Sequence, residues 1–247
     1  MKKLSATSIA KSLAALALVT SAGASFAAST WSFSSCFTNC SGTNSGGTVS
    51  VTAFSVGSGA GATYATATVN QFTGGLGAAY TGEPTTEPDH AVDNNVRTEA
   101  LLLNFGTKSV DLDFVQIGYK SVDADISLSR YTGPTPVGPA GTAPALALLT
   151  IPGLASAGWT LVGNYADLTQ DTNKAVNAGN AASSWWLVSA YNGNFGGTVL
   201  DNTSDFFKFK SITGTVTSKV PEPGSLALLG LGLVGLVASR RRKPASI

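Results

Sequence analysis

The stretch "SVDLDFVQIGYKSVDADISLSRY", residues 109–131, decides the fold class because apolar residues recur at every second position at its start and again from residue 124. The alternation places Val110, Leu112 and Phe114 on one face of the segment and two aspartates on the other. Successive side chains of a β-strand point to opposite faces, so a period of two predicts a strand with one buried face. Residues 124–131 repeat the pattern and predict a second strand.

Six further runs have the composition of strands: residues 48–56, 62–72, 99–106, 158–165, 183–191 and 205–219. The first run changes register at Phe54, which predicts a β-bulge. The apolar centre "LLL" of residues 99–106 predicts an interior strand. Short strands separated by turn residues predict an all-β antiparallel sandwich, jelly-roll-like, with one short helix within residues 145–159.

The predicted β-sandwich surface domain occupies residues 28–219. A connection rich in proline and glycine, residues 132–145, interrupts it. Such a composition suits neither a strand nor a helix. A single domain is therefore the first interpretation, and two subdomains divided at this connection are the alternative.

The N-terminus has the three parts of a secretory signal peptide. Three lysines within the first 11 residues precede a short apolar run, which is followed by small residues. Ser25 and Ala27 have the spacing of a cleavage site, so residues 1–27 are expected to be removed, with a cut after Ala28 as the alternative. An uncleaved anchor is disfavoured because the apolar run is far below the roughly 20 residues of a membrane span.

The C-terminus contains a second apolar segment, residues 224–239, with a basic cluster directly after it. As a helix it would be about 24 Å long, against a hydrocarbon core of about 30 Å. A slightly short span is accommodated at modest cost, and cations at its end act as a stop-transfer signal. The predicted stop-transfer residues are Arg240, Arg241, Arg242 and Lys243.

A short motif precedes this segment: Val220, Pro221, Glu222 and Pro223. Motif, apolar helix and basic cluster together resemble the PEP-CTERM sorting signal, here residues 220–243. The resemblance implies recognition by an exosortase of a Gram-negative, exopolysaccharide-producing bacterium, which would remove the tail. The expected route uses the Sec translocon, signal peptidase and a transient inner-membrane anchor, and ends at the cell surface or in the extracellular matrix.

Removal of both ends changes the charge of the chain. The 15 basic residues fall to eight, whereas all 14 acidic residues remain, which gives a net charge of −6. Nucleic-acid binding requires a basic surface, so nucleic acid is excluded as a partner. No cofactor is predicted.

Cys36 and Cys40 are the only cysteines. A close pair in an exported protein is typical of a disulfide, and two residues four apart can meet its Cα spacing in a turn. Two thiols without a nearby histidine cannot complete a zinc site. The spacing therefore predicts a disulfide near the N-terminal strand.

Residues 82–106 form the most polar part of the body and contain the single histidine, His90. Asp89, Asp93 and Asn95 are candidate calcium ligands, because calcium takes oxygen ligands from loops. His90 with a neighbouring carboxylate could act as a base in hydrolysis. The alternative is a solvated loop in which these residues make turns.

The same region resembles a family of exosortase-dependent surface proteins. "HAVDN", "LLLNF", "VQIG" and "DADISLSRY" follow one another within residues 82–133, in the order of that family. The resemblance implies a surface protein and brings no catalytic residue with it.

Aromatic residues offer a further hypothesis, because exposed rings on a β-sandwich can stack on sugars. The candidates are Trp185 and Trp186, with Trp159 and Tyr191. Adjacent strand residues face opposite sides, so at least one of the paired tryptophans is expected in the core. The predicted function is a non-enzymatic surface or matrix protein associated with exopolysaccharide or biofilm; the alternatives are a carbohydrate-binding module and a secreted glycan hydrolase.

Overall fold

The computed structural model describes residues 27–59, 61–84, 86–133 and 146–217. The predicted sorting signal, nearly all of the predicted signal peptide and most of the Pro-rich connection lie outside these residues. Within them, no helix combines the length and the apolar character that a membrane crossing requires. The domain boundaries therefore remain predictions from the sequence.

The described residues form fourteen strands and two short 3-10 turns. The turns span Pro152–Leu154 and Gly193–Phe195. The strands are β1 Ser29–Ser32, β2 Asn39–Gly42, β3 Gly47–Gly57, β4 Tyr64–Phe72, β5 Gly75–Ala79, β6 Val92–Asp93, β7 Arg97–Asn104, β8 Ser109–Val122, β9 Ile126–Tyr131, β10 Trp159–Tyr165, β11 Lys174–Ala175, β12 Ala182–Ser183, β13 Trp185–Ala190 and β14 Asp205–Thr217.

All pairings between these strands are antiparallel, in the order β10-β9-β13-β7-β3-β4-β5-β14-β8-β11. The sheet curls over at β4, whose first half pairs with β3 and whose second half, from Thr68, pairs with β5. The curl brings β7, β3 and β13 opposite β14 and β8. The predicted all-β antiparallel sandwich is confirmed.

The main core fills the space between the two layers. Its largest fully buried members are Trp31, Phe33, Leu76, Leu101, Leu103, Leu112, Ile117, Trp186, Phe207 and Phe209. The predicted inward set Ala124, Ile126 and Leu128 belongs to the same cluster. Alternation along each strand produces this core, because every second side chain points between the layers.

A second apolar cluster covers the outer face of the β3–β7–β13 layer. Leu102 and Leu187 project from the sheet, and Ile151 and Leu154 cover them from the segment before β10. The single 3-10 turn in that segment stands where one short helix is predicted. The interior strand β7 is apolar throughout its centre because both of its faces are buried.

Two details of the strand predictions are wrong. β3 pairs with β7 without a bulge at Phe54. Phe54 and Val56 instead face the second cluster. Their apolar character therefore reflects a strand that is buried on both faces. In β8 an irregularity near Asp113 shifts the register, which leaves Phe114 exposed and turns Val115 inward. An extra residue in one strand has this effect because it reverses the faces that follow it.

The predicted disulfide is present. Cys36 and Cys40 are bonded, with a Cα–Cα distance of 5.5 Å. The bridge closes the connection between β1 and β2, and Cys40 is fully buried in the main core.

Candidate functional site

Three carboxylates converge at the end of the main core. Glu83 follows β5, Asp93 ends β6, and Glu99 lies near the start of β7. One oxygen of each carboxylate lies within 4.8 Å of an oxygen of both others. Glu99 has the same strand parity as Leu101, so its side chain points between the layers rather than to solvent.

Close packing of backbone brings these segments together. The Ala78 N–H donates to the Ala91 carbonyl across 3.3 Å, which seats β5 against the residues before β6. A Cβ atom on Gly77 would lie 2.0 Å from the His90 carbonyl oxygen, so only glycine permits this approach. This close contact between β5 and residue 90 places Asp93, in β6, near Glu99 in β7.

The carboxylates have few hydrogen-bond donors. The Tyr80 N–H donates to Glu83 Oε2 at 3.1 Å, and the Asn95 N–H donates to Asp93 Oδ1 at 2.9 Å. Asp93 Oδ2 and both Glu99 side-chain oxygens are buried without a hydrogen-bond partner. The Asp93 N–H favours the charged form of Glu99 without reaching hydrogen-bond geometry.

Burial without compensation raises the pKa of all three groups. It raises the pKa of Asp93 from 3.8 to about 7, with further increases from the charges of Glu83 and Asp89. Burial also raises the pKa of Glu99, and the charges of Asp93 and Glu83 raise it further. For Glu83, burial outweighs the opposing effect of the Tyr80 N–H. Proximity of like charges and desolvation act in the same direction here.

No basic side chain among the described residues forms an ion pair with this carboxylate triad. The nearest arginine in sequence, Arg97, donates to the Oγ and carbonyl oxygen of Ser55 and lies over the Tyr80 ring. Lys208 pairs with Glu87 at 2.7 Å. The triad is therefore a group of three acidic side chains without a basic partner in the part of the chain that is described.

Asp123, Asp125 and Asp201 form a second acidic cluster. Its carboxylates accept backbone N–H groups from Ala124, Asp167 and Thr203, respectively. The side-chain amide of Asn94 donates hydrogen bonds to Asp205 Oδ2 and to the Tyr191 carbonyl. No fully buried oxygen of this cluster lacks a hydrogen-bond partner.

A polar cleft of about 360 Å³ opens beside both clusters. Its walls are rich in amides and hydroxyls, and include Asn94, Asn95, Asn192, Asn194, Asp201 and Tyr191. Side chains of this type donate and accept hydrogen bonds with polyhydroxylated molecules.

The predicted calcium ligands are only partly brought together. Asp93 belongs to the triad, whereas Asn95 is exposed and contributes its N–H to Asp93. Asp89 lies near enough for its charge to raise the pKa of Asp93, but is not a member of the cluster. The difference arises because Glu83 and Glu99 reach the same point from β5 and β7, a convergence that spacing along one loop does not reveal.

His90 is buried between an aromatic ring and a carboxylate. Its ring packs against Phe72 at a centroid distance of 4.2 Å, and its Nε2 is 3.7 Å from Glu87 Oε1. Glu87 is in turn held by Lys208. The predicted pair of histidine and carboxylate therefore exists, but the lysine competes for the carboxylate.

The paired tryptophans do not offer a stacking surface for sugars. Trp185 and Trp186 are 4% and 0% exposed. The Trp185 indole N–H donates to Asn104 Oδ1, and that of Trp186 donates to the carbonyl groups of Val110 and Ser183. Trp159 and Tyr191 are buried as well. The hypothesis of glycan stacking on these rings is wrong, because both faces of their layer are covered.

Residues 219–243 match the PEP-CTERM protein-sorting motif. The chain therefore carries a PEP-CTERM sorting signal, which confirms the prediction made from Val220–Pro223 and the basic cluster. The signal implies export, a membrane-associated sorting step and processing by an exosortase. No curated protein and no solved structure matches the chain. The resemblance of residues 82–133 to exosortase-dependent surface proteins stays a prediction.

Proposed function

We propose that this protein is a non-enzymatic component of the cell surface or extracellular matrix. An exosortase sorts it, and the β-sandwich is the part that remains outside the cell. The observation that carries the proposal is the sorting motif at residues 219–243, attached to a body whose regular secondary structure is almost all β-strand. The predicted signal peptide would supply entry into the export pathway. Association with exopolysaccharide or biofilm is the expected setting of the mature protein.

The surroundings of His90 support a role without catalysis. General base catalysis needs a histidine within hydrogen-bond reach of the group that it deprotonates. No serine, threonine or cysteine side chain among the described residues hydrogen-bonds to His90, whose ring instead contacts Phe72. The acidic residues with raised pKa values are mostly buried under the strands.

Carbohydrate binding is the second candidate, and the polar cleft is the observation that favours it. With the tryptophans buried, recognition would depend on the amides of Asn192 and Asn194. Binding of the host's exopolysaccharide to the wild-type protein, reduced in an Asn192→Ala, Asn194→Ala variant, would favour this function. Absence of binding by the wild-type protein would end it.

A glycan hydrolase needs two accessible carboxylates about 5–10 Å apart. Among the described residues that line the cleft, Asp201 is the acidic one. Its partners Asp123 and Asp125 are buried. Release of new reducing ends from exopolysaccharide, abolished by Asp201→Asn, would establish the hydrolase and contradict the proposal; we expect no release.

Sorting is tested by fractionation of the native host. In one variant, alanine replaces Val220, Pro221, Glu222 and Pro223. We expect the wild-type protein outside the inner membrane and this variant retained in it with its tail uncut. Pro244→Ala is the matched control, because it changes a proline of the tail outside the matched residues. Equal release of the two variants would contradict exosortase processing at the motif.

A further inference from the structure

We propose that the carboxylate triad Glu83, Asp93 and Glu99 binds a hard divalent cation, and that the ion is Ca²⁺. The oxygens of the three groups lie within 4.8 Å of one another. Calcium–oxygen bonds are about 2.3–2.6 Å long, so two ligands of one ion can be separated by up to about 5.2 Å. The spacing of the triad therefore fits a shared ion.

The open oxygens of Glu99 point independently to a ligand. Glu99 is 0% exposed, and its side-chain oxygens accept no hydrogen bond from a residue outside the triad; the one side chain within hydrogen-bond reach of them is the Glu83 carboxyl. Asp93 Oδ2 is in the same condition. Buried polar groups in proteins are almost always satisfied, and a buried charge requires a partner. The missing partner of these three oxygens lies where the triad converges.

A shared proton and a bound cation are the two ways to relieve the repulsion. Protons relieve the repulsion, as the raised pKa values of all three acids allow, but a proton shared between Glu83 and Glu99 leaves Asp93 Oδ2 without a partner. A divalent cation neutralises two charges at once and gives each open oxygen a ligand bond. No lysine or arginine in the described ranges forms an ion pair with the triad in place of a bound cation. The half-buried side of the cluster, at Glu83, provides access for an ion and for its remaining waters.

The donor set selects the class of ion. All three ligands are carboxylates, without nitrogen or sulfur, which suits Ca²⁺, Mg²⁺ or Mn²⁺ rather than zinc or copper. Mg²⁺ retains several waters in a regular octahedron, whereas Ca²⁺ accepts irregular shells and bidentate carboxylates. The buried position of Glu99 leaves little room for a hydrated shell on that side. Calcium is therefore the ion that fits best.

A bound ion would join three separate segments of the chain. The ligands come from the connection after β5, from β6 and from β7. Asp93 also accepts the N–H of Asn95, and Asn94 and Asn95 line the polar cleft. The ion would thus fix the cleft wall to the sheet. The second acidic cluster has its buried oxygens satisfied, so it gives no comparable indication of a ligand.

The test uses the full chain in a mild detergent, stripped with EDTA and titrated with CaCl₂. We expect one Ca²⁺ per chain by calorimetry, with a Kd of about 10–1000 µM. At a 100-fold excess over Kd, the Tm should rise by about 5–10 °C. An equal rise with NaCl of matched ionic strength, or no rise with Ca²⁺, would overturn the proposal and leave the shared proton as the explanation.

Two variants locate the site. Glu99→Gln should weaken Ca²⁺ binding at least tenfold, because the charge of the ligands sets the affinity. Its Tm without Ca²⁺ should not fall below that of the wild-type protein, because glutamine reproduces the uncharged form of Glu99 that burial favours when no cation is bound. Glu83→Gln, at the half-buried position, should weaken binding in the same way. The second variant keeps the test decisive if Glu99→Gln fails to fold.

The controls distinguish the triad from other acidic residues. Asp171→Asn removes an exposed carboxylate that is paired with Lys210, and should leave the response to Ca²⁺ unchanged. Asp201→Asn removes a member of the second cluster and should also leave it unchanged. Loss of the response in Asp201→Asn, with retention in Glu99→Gln and Glu83→Gln, would assign the ion to the second cluster and overturn the proposal.

Discussion

Trp185 and Trp186 are neighbours in β13, yet their rings lie in two different apolar clusters on opposite faces of one layer. Trp186 fills the main core between the layers, and Trp185 packs beneath the segment that precedes β10. One strand therefore supports two cores. This arrangement excludes both rings from ligand binding and makes them structural residues.

Substitution of Trp186 should be strongly destabilising. Trp186→Ala removes a fully buried ring and leaves the carbonyl groups of Val110 and Ser183 without its N–H. We expect a loss of about 3–5 kcal/mol in the free energy of unfolding, measured in urea. Val199→Ala, at an exposed position, should change it by less than about 0.5 kcal/mol. Equal effects of the two substitutions would contradict the position of Trp186.

Gly77 should not tolerate a side chain. The Cβ atom of Gly77→Ala would lie 2.0 Å from the His90 carbonyl oxygen, a backbone atom that cannot move alone. The expected destabilisation is about 1–3 kcal/mol or more, measured by urea unfolding. Gly61→Ala is the control, because no atom lies within 4 Å of its added Cβ. If Gly77→Ala is as stable as Gly61→Ala, the approach of β5 to residue 90 is wrong.

Stability without divalent cations should fall as the pH rises from about 4 to 8. Burial raises the pKa of Asp205 from 3.8 to about 8, with further increases from the charges of Asp125 and Asp123. The folded state then keeps a proton that the unfolded state releases near pH 4, so folding is favoured at the acidic end of this range. The contribution is at most about 1.4 kcal/mol per pH unit.

The check is urea unfolding of the wild-type protein and Asp205→Asn at pH 5, 6.5 and 8 in EDTA. The variant lacks the titrating group and should show a flatter dependence. Asp171→Asn is the control: the hydrogen bond and charge of Lys210 lower the pKa of Asp171, so its titration lies below this range. Identical slopes for the wild-type protein and Asp205→Asn would show that Asp205 titrates normally.

Reduction of the disulfide should have a small effect. The bond joins residues only four positions apart, so it restricts few conformations of the unfolded chain. The chain-entropy relation gives a loss of about 2 kcal/mol for a loop of this size. The comparison is urea unfolding of oxidised and reduced protein. Complete unfolding on reduction would show that the fold depends on the bridge far more than the sheet pairing indicates.

The fold class could be predicted because alternation is a local property of the chain. The strand at 124–131 has one buried face, and its predicted inward residues are correct. The bulge at Phe54 was wrong because a layer covered on both faces buries apolar residues of either parity. The sequence around Phe54 carries no sign of the distant segment, near Leu154, that covers it.

The candidate site could be predicted only in part for a related reason. Asp93 could be predicted as a metal ligand because it lies in a polar loop with other acidic residues. Glu99 could not, because it lies at the start of an apolar strand. The sequence "EALLLNF" did contain one indication: Glu99 alternates in step with residues that point into the core. Charged residues rarely point into a core without a partner, so a ligand of Glu99 could have been expected. The convergence of Glu99 with Glu83 depends on the pairing of β5 with β14 and on the seating of β6, which are contacts between distant parts of the chain.

The most direct test of the central claim is the intact mass of the protein recovered from the surface or medium of its native host. The account predicts a chain that begins at Ala28 or Ser29 and ends within residues 220–224, with any additional mass belonging to an attached group. A protein that retains Arg240 to Lys243 in the membrane fraction would contradict it, because the C-terminal segment would then be a permanent anchor.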